Sequence, residues 1–197
     1  SDADVMFVHR PVEGADEKEA QAQANRIVNR LMQLIKQPVR PAIRAERPLE
    51  VDADLRPEGK QGAMVRSLDS YRAYYERWAE TWEFQALLRA RPIAGSEELG
   101  RAFIELIDPY RYPREFTAEQ AQQVRRMKAR VEHERMPHGA DRTRQLKLGR
   151  GGLSDVEWLV QLIQLQHAHK VQGLRTTSTL EALNAAVEAN LVAAEDA

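Results

Sequence analysis

Two short runs of period two, "SDADVMFVH" at 1–9 and "LEVDADLRP" at 49–57, flank one long helical stripe, and from Ser67 onward the apolar pattern is helical throughout. That change of period limits the chain to a small α/β piece followed by an all-α piece, an α+β class. In the first run Ala3, Val5 and Phe7 alternate with Asp2, Asp4 and Met6. "EAQAQANRIVNRLMQLIKQ" then sets Ala20, Ala24, Ile27, Val28, Leu31, Leu34 and Ile35 on one helical stripe, expected to face the core. "PVRPAIRAERP" cannot continue that helix and reads as a loop. In the second run Leu49, Val51, Ala53 and Leu55 share one face, and Glu50, Asp52 and Asp54 the other. "EGKQG" is a turn and "AMVRSL" a further short strand.

Ser67 is expected to cap a helix whose Tyr71, Tyr74, Tyr75, Trp78 and Trp82 form an aromatic core stripe. "DPYRYPREF" breaks the pattern and is expected to be a linker, 108–116, between a first domain at 1–107 and a helical domain at 117–197. Capping boxes at Thr117–Gln120, Ser154–Glu157 and Ser178–Glu181 open the last helices. Domain termini normally lie in frayed surface segments, so a chain opening at Ser1 inside a strand is expected to be a piece of a longer protein.

With 43% apolar and 30% charged residues the chain has the balance of a folded domain. A net charge of −1 provides no global field for nucleic acid or a lipid surface. The absence of cysteine removes disulfides and thiolate chemistry and suits a reducing compartment. No apolar run approaches the ~20 residues of a bilayer span, and no secretory signal pattern is present. A cytoplasmic chain without membrane or nucleic-acid partners is expected. The segment 125–150 carries nine Lys or Arg against three acids. It reads as a solvated helix and loop, with a basic wall or docking face as the functional alternative. Without interleaved aromatics it is a poor nucleic-acid signature.

In a strand, residues two apart share a face, so Asp2 and Asp4 project side by side. Two carboxylates so close repel unless a cation sits between them. Mg²⁺ takes hard oxygen ligands and is usually held by one or two carboxylates plus substrate phosphates. A third carboxylate from the strand holding Asp52 and Asp54 would complete a two-metal site suited to phosphoryl displacement. The plain alternative is a solvated strand face.

Four segments in order carry a family resemblance. "SDADVMFVH" resembles the Gly-Ser…Asp-x-Asp signature of polymerase-β-like nucleotidyltransferases, with its leading Gly absent. "VDADLRPEGKQGAMV", "TWEFQALLRARPIAG" and "KLGRGGLSDVEWLVQLIQLQHA" resemble three segments of the glutamine synthetase adenylyltransferase family. The resemblance implies a truncated polymerase-β-like nucleotidyltransferase domain followed by a helical bundle. "TWEFQALLRAR", where the first, AMP-removing half of that bifunctional family typically shows "DWE" and "KAR", implies the second, adenylylating half.

Carried over by position, Asp2 and Asp4 match the metal-binding pair, and Asp52 the third ligand. Ser1 matches a phosphate-contacting Ser. Strand alternation alone does not separate Asp52 from Asp54; the latter stands where many relatives carry Arg and has Arg56 or Arg66 as possible partners. The implied chemistry is Mg²⁺-dependent transfer of AMP from ATP to a tyrosine of glutamine synthetase, with a PII-type signal protein as a further partner. Phosphorolytic removal of AMP, and a non-enzymatic docking or inactive module, are the alternatives.

Arg89 and Arg91 suit bidentate phosphate contact, or pair with Glu83 or Glu80. Lys147 is the nucleotide-contact candidate of the "KLGRGG" segment. Asp155 and Glu157 are explained there by the capping box and the helix dipole.

Overall fold

The structure, a computed structural model, describes residues 3–37, 50–137, 139, 141 and 143–196. Ser1, Asp2, Leu49 and the 38–48 loop of the sequence reading lie outside the described residues. The chain divides into two compact units: Ser1–Ala79 with Ala94–Phe103, and Glu80–Ile93 with Ile104–Ala197. Small parallel sheets and seven α-helices are described, a mixed α and β composition. No described helix is long and apolar enough to cross a membrane.

In the first unit the opening run is not one strand but two, β1 (Ala3–Asp4) and β2 (Phe7–His9). They change partner at Val5–Met6: β1 pairs in parallel with β3 (Val51–Asp52), and β2 in parallel with β4 (Val65–Ser67). Parallel pairing requires a crossover, supplied here by α1 (Glu17–Ile35). Asp16 opens α1 by accepting from the Glu19 amide at 2.8 Å, with Glu17 and Glu19 at the positive end of the dipole. Gln21 ties α1 to the sheet, its amide donating to the Val65 carbonyl at 2.7 Å.

Of the apolar stripe on α1 only Val28 is buried, and Ile27 is 62% exposed. The reason is size. A 19-residue helix is about 28 Å long, whereas strands of two or three residues extend about 7–10 Å. So small a sheet covers about a third of the helix.

Ser67 caps α2 (Leu68–Arg77) as the sequence predicts, accepting from the Ser70 amide at 3.2 Å. The aromatic stripe is only partly core. Tyr71 and Tyr75 are buried, with Tyr71 edge-on to Phe103 at 5.1 Å and its hydroxyl donating to the Phe7 carbonyl. Burial pushes the Tyr71 phenol up. Trp78 is 73% exposed, because α2 ends at Arg77 and the stripe no longer follows one helix. Trp82 belongs to the next helix, α3 (Thr81–Leu87), in the second unit.

The helix α4 (Glu97–Arg111) runs through Pro109, so the expected start of the linker at 108 falls inside it. The last turn is held by Arg111, which is buried, pairs with Asp108 at 2.7 Å and donates to the Ala90 carbonyl at 2.9 Å. Arg111 and Arg175 both lie against the Tyr112 ring, at 4.9 and 5.4 Å. The capping box at Thr117 opens α5 (Ala118–Arg135), with reciprocal bonds of 3.1 and 2.9 Å.

The expected box at Ser154 does not form. Gly152 is the N-cap of α6 (Leu153–His167), which places Ser154 inside the helix and buried. A Cβ on Gly152 would lie 2.8 Å from the Gly149 and Leu146 carbonyl oxygens, so the turn demands glycine there. Ser178 caps α7 (Thr179–Glu188), while Glu181 accepts from the Thr176 hydroxyl at 2.5 Å instead of closing a box.

Leu88, Val160, Leu165, Leu174 and Ala182 are among the fully buried members of the second unit's core. Gln164 is embedded beside them, 2% exposed, and its amide donates to the Leu174 and Thr176 carbonyls at 2.8 Å each. Gln164→Leu strands both carbonyls away from water. We expect it to cost about 1–3 kcal/mol, read from equilibrium urea unfolding.

Candidate functional site

The site is built from β1, β3 and the turn that follows β3. In the parallel ladder Ala3 is opposite Val51 and Asp4 opposite Asp52. The Ala3 amide donates to the Glu50 carbonyl at 2.8 Å, and the Val5 amide to the Asp52 carbonyl at 2.7 Å, fixing that register. Paired residues of adjacent strands share a face and lie about 4.8 Å apart, so Asp4 and Asp52 are brought together. Asp4 is exposed and Asp52 half-buried.

Asp54, inseparable from Asp52 by alternation, is distinguished by the fold. The strand ends at Asp52, and Asp54 belongs to the turn, 3.4 Å from both Arg56 and Lys60. Arg66 is not its partner: it pairs with Glu58 and lies 5.8 Å from the Tyr74 ring centroid. Asp52 receives the Asp54 amide on Oδ1 at 2.7 Å, leaving Oδ2 to be directed elsewhere.

Arg56 is buried beneath this turn. It donates to the carbonyls of Ala53 (2.7 Å), Lys60 (3.1 Å) and Gly62 (3.1 Å). The sequence reading considered Arg56 only as a partner for Asp54 and missed this role. The signal was the crowding of Arg, Pro and two glycines within "LRPEGKQG".

Among the described residues no three His, Cys, Asp or Glu side chains converge on a metal position. Of the expected ligands, Asp4 and Asp52 lie among the described residues, paired in the ladder. Two hard oxygen donors on adjacent strands fit Mg²⁺, which completes its shell with phosphate and water.

The sequence pattern of the glutamate-ammonia ligase adenylyltransferase family matches residues 1–106, more than half of the chain. The chain belongs to that family. Residues 125–197 also match the GlnD PII-uridylyltransferase family. A bifunctional glutamine synthetase adenylyltransferase/adenylyl-removing enzyme of Streptomyces avermitilis is 59% identical over all of the chain. Its counterparts in Streptomyces coelicolor and Mycobacterium tuberculosis are 56% and 51% identical, over 99% and 93% of it. The chain spans 18–19% of the length of these relatives.

The candidates Arg89, Arg91 and Lys147 of this adenylyltransferase-family chain lie in the second unit. Arg89 makes neither of its expected carboxylate pairs. It donates to the Thr177 carbonyl and the Thr179 hydroxyl, holding the start of α7. Glu83 instead accepts from the Glu80 amide at 3.0 Å, capping α3. Arg91 and Lys147 are exposed.

Asp155 is joined to Lys128 of α5 and accepts from the Gly151 amide at 2.7 Å. Those two bonds hold its carboxyl below the usual range. Partial burial pulls Lys128 down, but its bonds to Asp155 and Glu132 more than reverse this and leave it raised. The contribution of Asp155 is therefore complete above its ordinary 3.8 and is lost as pH falls through its lower folded value. That of Lys128 is complete below its ordinary 10.5 and is lost as pH climbs through its raised folded value. We expect the stability gap between the parent and Asp155→Asn to be widest at neutral pH. It should close under strong acid, as read from urea unfolding across pH.

Proposed function

We propose that this chain carries the nucleotide site for Mg²⁺-dependent transfer of AMP from ATP to a tyrosine of glutamine synthetase, in the cytoplasm. The observation that carries the reading is the ladder register that sets Asp4 beside Asp52. Family membership and the adenylyltransferase relatives support the reaction class. By resemblance, Asp2 is proposed to form the metal-binding pair with Asp4, Asp52 to be the third ligand, and Ser1 to be a phosphate contact.

When bound, Mg²⁺ supplies neutralisation of charge on the triphosphate. The chain's own part is to hold two acceptor groups at fixed positions, since phosphoryl transfer depends chiefly on positioning and electrostatics. The tyrosine hydroxyl bonds to the α-phosphorus, its proton passes to solvent, and the bond to pyrophosphate breaks.

The relatives' names also carry an adenylyl-removing activity, and the same site would serve it. There inorganic phosphate bonds to the α-phosphorus of the AMP-tyrosine ester, the tyrosine oxygen leaves, and ADP is released. A PII-type signal protein is proposed as a regulator, supported by the uridylyltransferase-family match at 125–197.

Calorimetric titration of ATP into the full-length protein, with and without Mg²⁺, tests the reading. Mg²⁺-dependent binding is expected, together with pyrophosphate release that requires glutamine synthetase. Absence of binding by the folded protein would refute it and favour a docking module.

A further inference from the structure

A single peptide group in the β3 turn is gripped from both ends. Its carbonyl, that of Ala53, accepts from Arg56 Nη1 at 2.7 Å. Its N–H, that of Asp54, donates to Asp52 Oδ1 at 2.7 Å. A guanidinium and a carboxylate are thus joined through one rigid plane. We propose that Arg56 is a positioning residue that fixes the Asp52 carboxylate through the Ala53–Asp54 peptide. The inference rests on the reading of Asp52 as a metal ligand.

The chemistry of the clamp fits orientation better than charge pairing. Arg56 is buried, its guanidinium lies 3.4 Å from Asp54, and its three other acceptors are backbone carbonyls. A planar fork of five donors can reach carbonyls at 53, 60 and 62 together, whereas an ammonium is a compact point charge. A cation on the carbonyl also polarises the peptide, so its N–H becomes a better donor to Asp52. With Oδ1 committed to that amide, the rotamer is set and Oδ2 is directed to a ligand.

The test uses Mn²⁺ as the probe, titrated into the full-length protein and followed by the electron paramagnetic resonance signal of free Mn²⁺. Circular dichroism selects the variants that fold. Arg56→Lys and Arg56→Ala should weaken Mn²⁺ binding about 10–100-fold, the usual effect of removing an outer-shell partner. Methylguanidinium should restore affinity to Arg56→Ala. Asp54→Asn keeps the gripped peptide and should bind as the parent does.

A folded Arg56→Lys with parental affinity overturns the inference and leaves the metal reading intact. Collapse of both Arg56 variants overturns it as well, in favour of a purely structural clamp. A parent that binds no Mn²⁺, or an Asp52→Asn variant that binds it normally, refutes the metal reading and the positioning role with it.

Discussion

Asp52→Asn is expected to abolish Mg²⁺-dependent ATP binding while the protein stays folded. The two halves of that expectation come from the two oxygens of one carboxylate. Oδ1 accepts the Asp54 amide at 2.7 Å, and an asparagine carbonyl oxygen can accept the same bond. The turn after β3 therefore survives the substitution. The other side-chain atom becomes an NH₂ group, a donor that presents hydrogens where a cation needs a lone pair. Losing an outer-shell partner alone typically costs 10–100-fold in metal affinity, so loss of a ligand should exceed about 100-fold. Asp52→Ala removes the turn acceptor too, and should add about 1 kcal/mol of destabilisation that Asn does not show. Calorimetry with ATP and Mg²⁺, paired with urea unfolding of both variants, separates the effects. Retained binding in a folded Asp52→Asn would remove Asp52 from the site.

The strand placement of Asp4 and Asp52 was legible in the sequence, and the bonding of Arg56 in the turn that follows was not. Period two marked both strand runs, and the ladder sets Asp4 beside Asp52. Serine and threonine caps at 67, 117 and 178 were legible because a cap is a local bond between residues three apart. Features fixed by other segments were not legible. The opening run splits at Val5–Met6 because its two ends pair with strands far along the chain. Ser154 satisfies the box pattern, yet a tight turn at Gly152 starts the helix at Leu153 and takes Ser154 inside. Pro109 suggested an interruption, yet α4 runs on through it to Arg111. Arg56 illustrates the limit best. Composition shows a cation near two acids, whereas its acceptors are backbone carbonyls, which every residue has.

The same turn yields the largest stability effect expected of any single substitution at the site. A Cβ added to Gly62 would lie 1.9 Å from the Pro57 carbonyl oxygen and 3.1 Å from its carbonyl carbon. Relief requires Pro57 or Gly62 to move, and both are restrained. Pro57 is fully buried, and the Gly62 carbonyl is held by Arg56 Nε. Forced overpacking commonly costs 1–3 kcal/mol, and a clash with backbone rather than a flexible side chain belongs at or above the top of that range. Gly62→Ala should therefore destabilise the protein by about 3 kcal/mol or more. Gly14→Ala is the control: its φ of 77° is left-handed, but nothing lies within 4 Å of a Cβ there. It meets only the conformational cost, about 1–2 kcal/mol. Urea unfolding of both variants measures the difference. Equal costs would show that the turn yields at Pro57, and a turn that yields would not hold the Ala53–Asp54 peptide in place for Asp52. A much larger cost at Gly62 would show that the turn is stiff enough to serve as the support that a ligand on Asp52 requires.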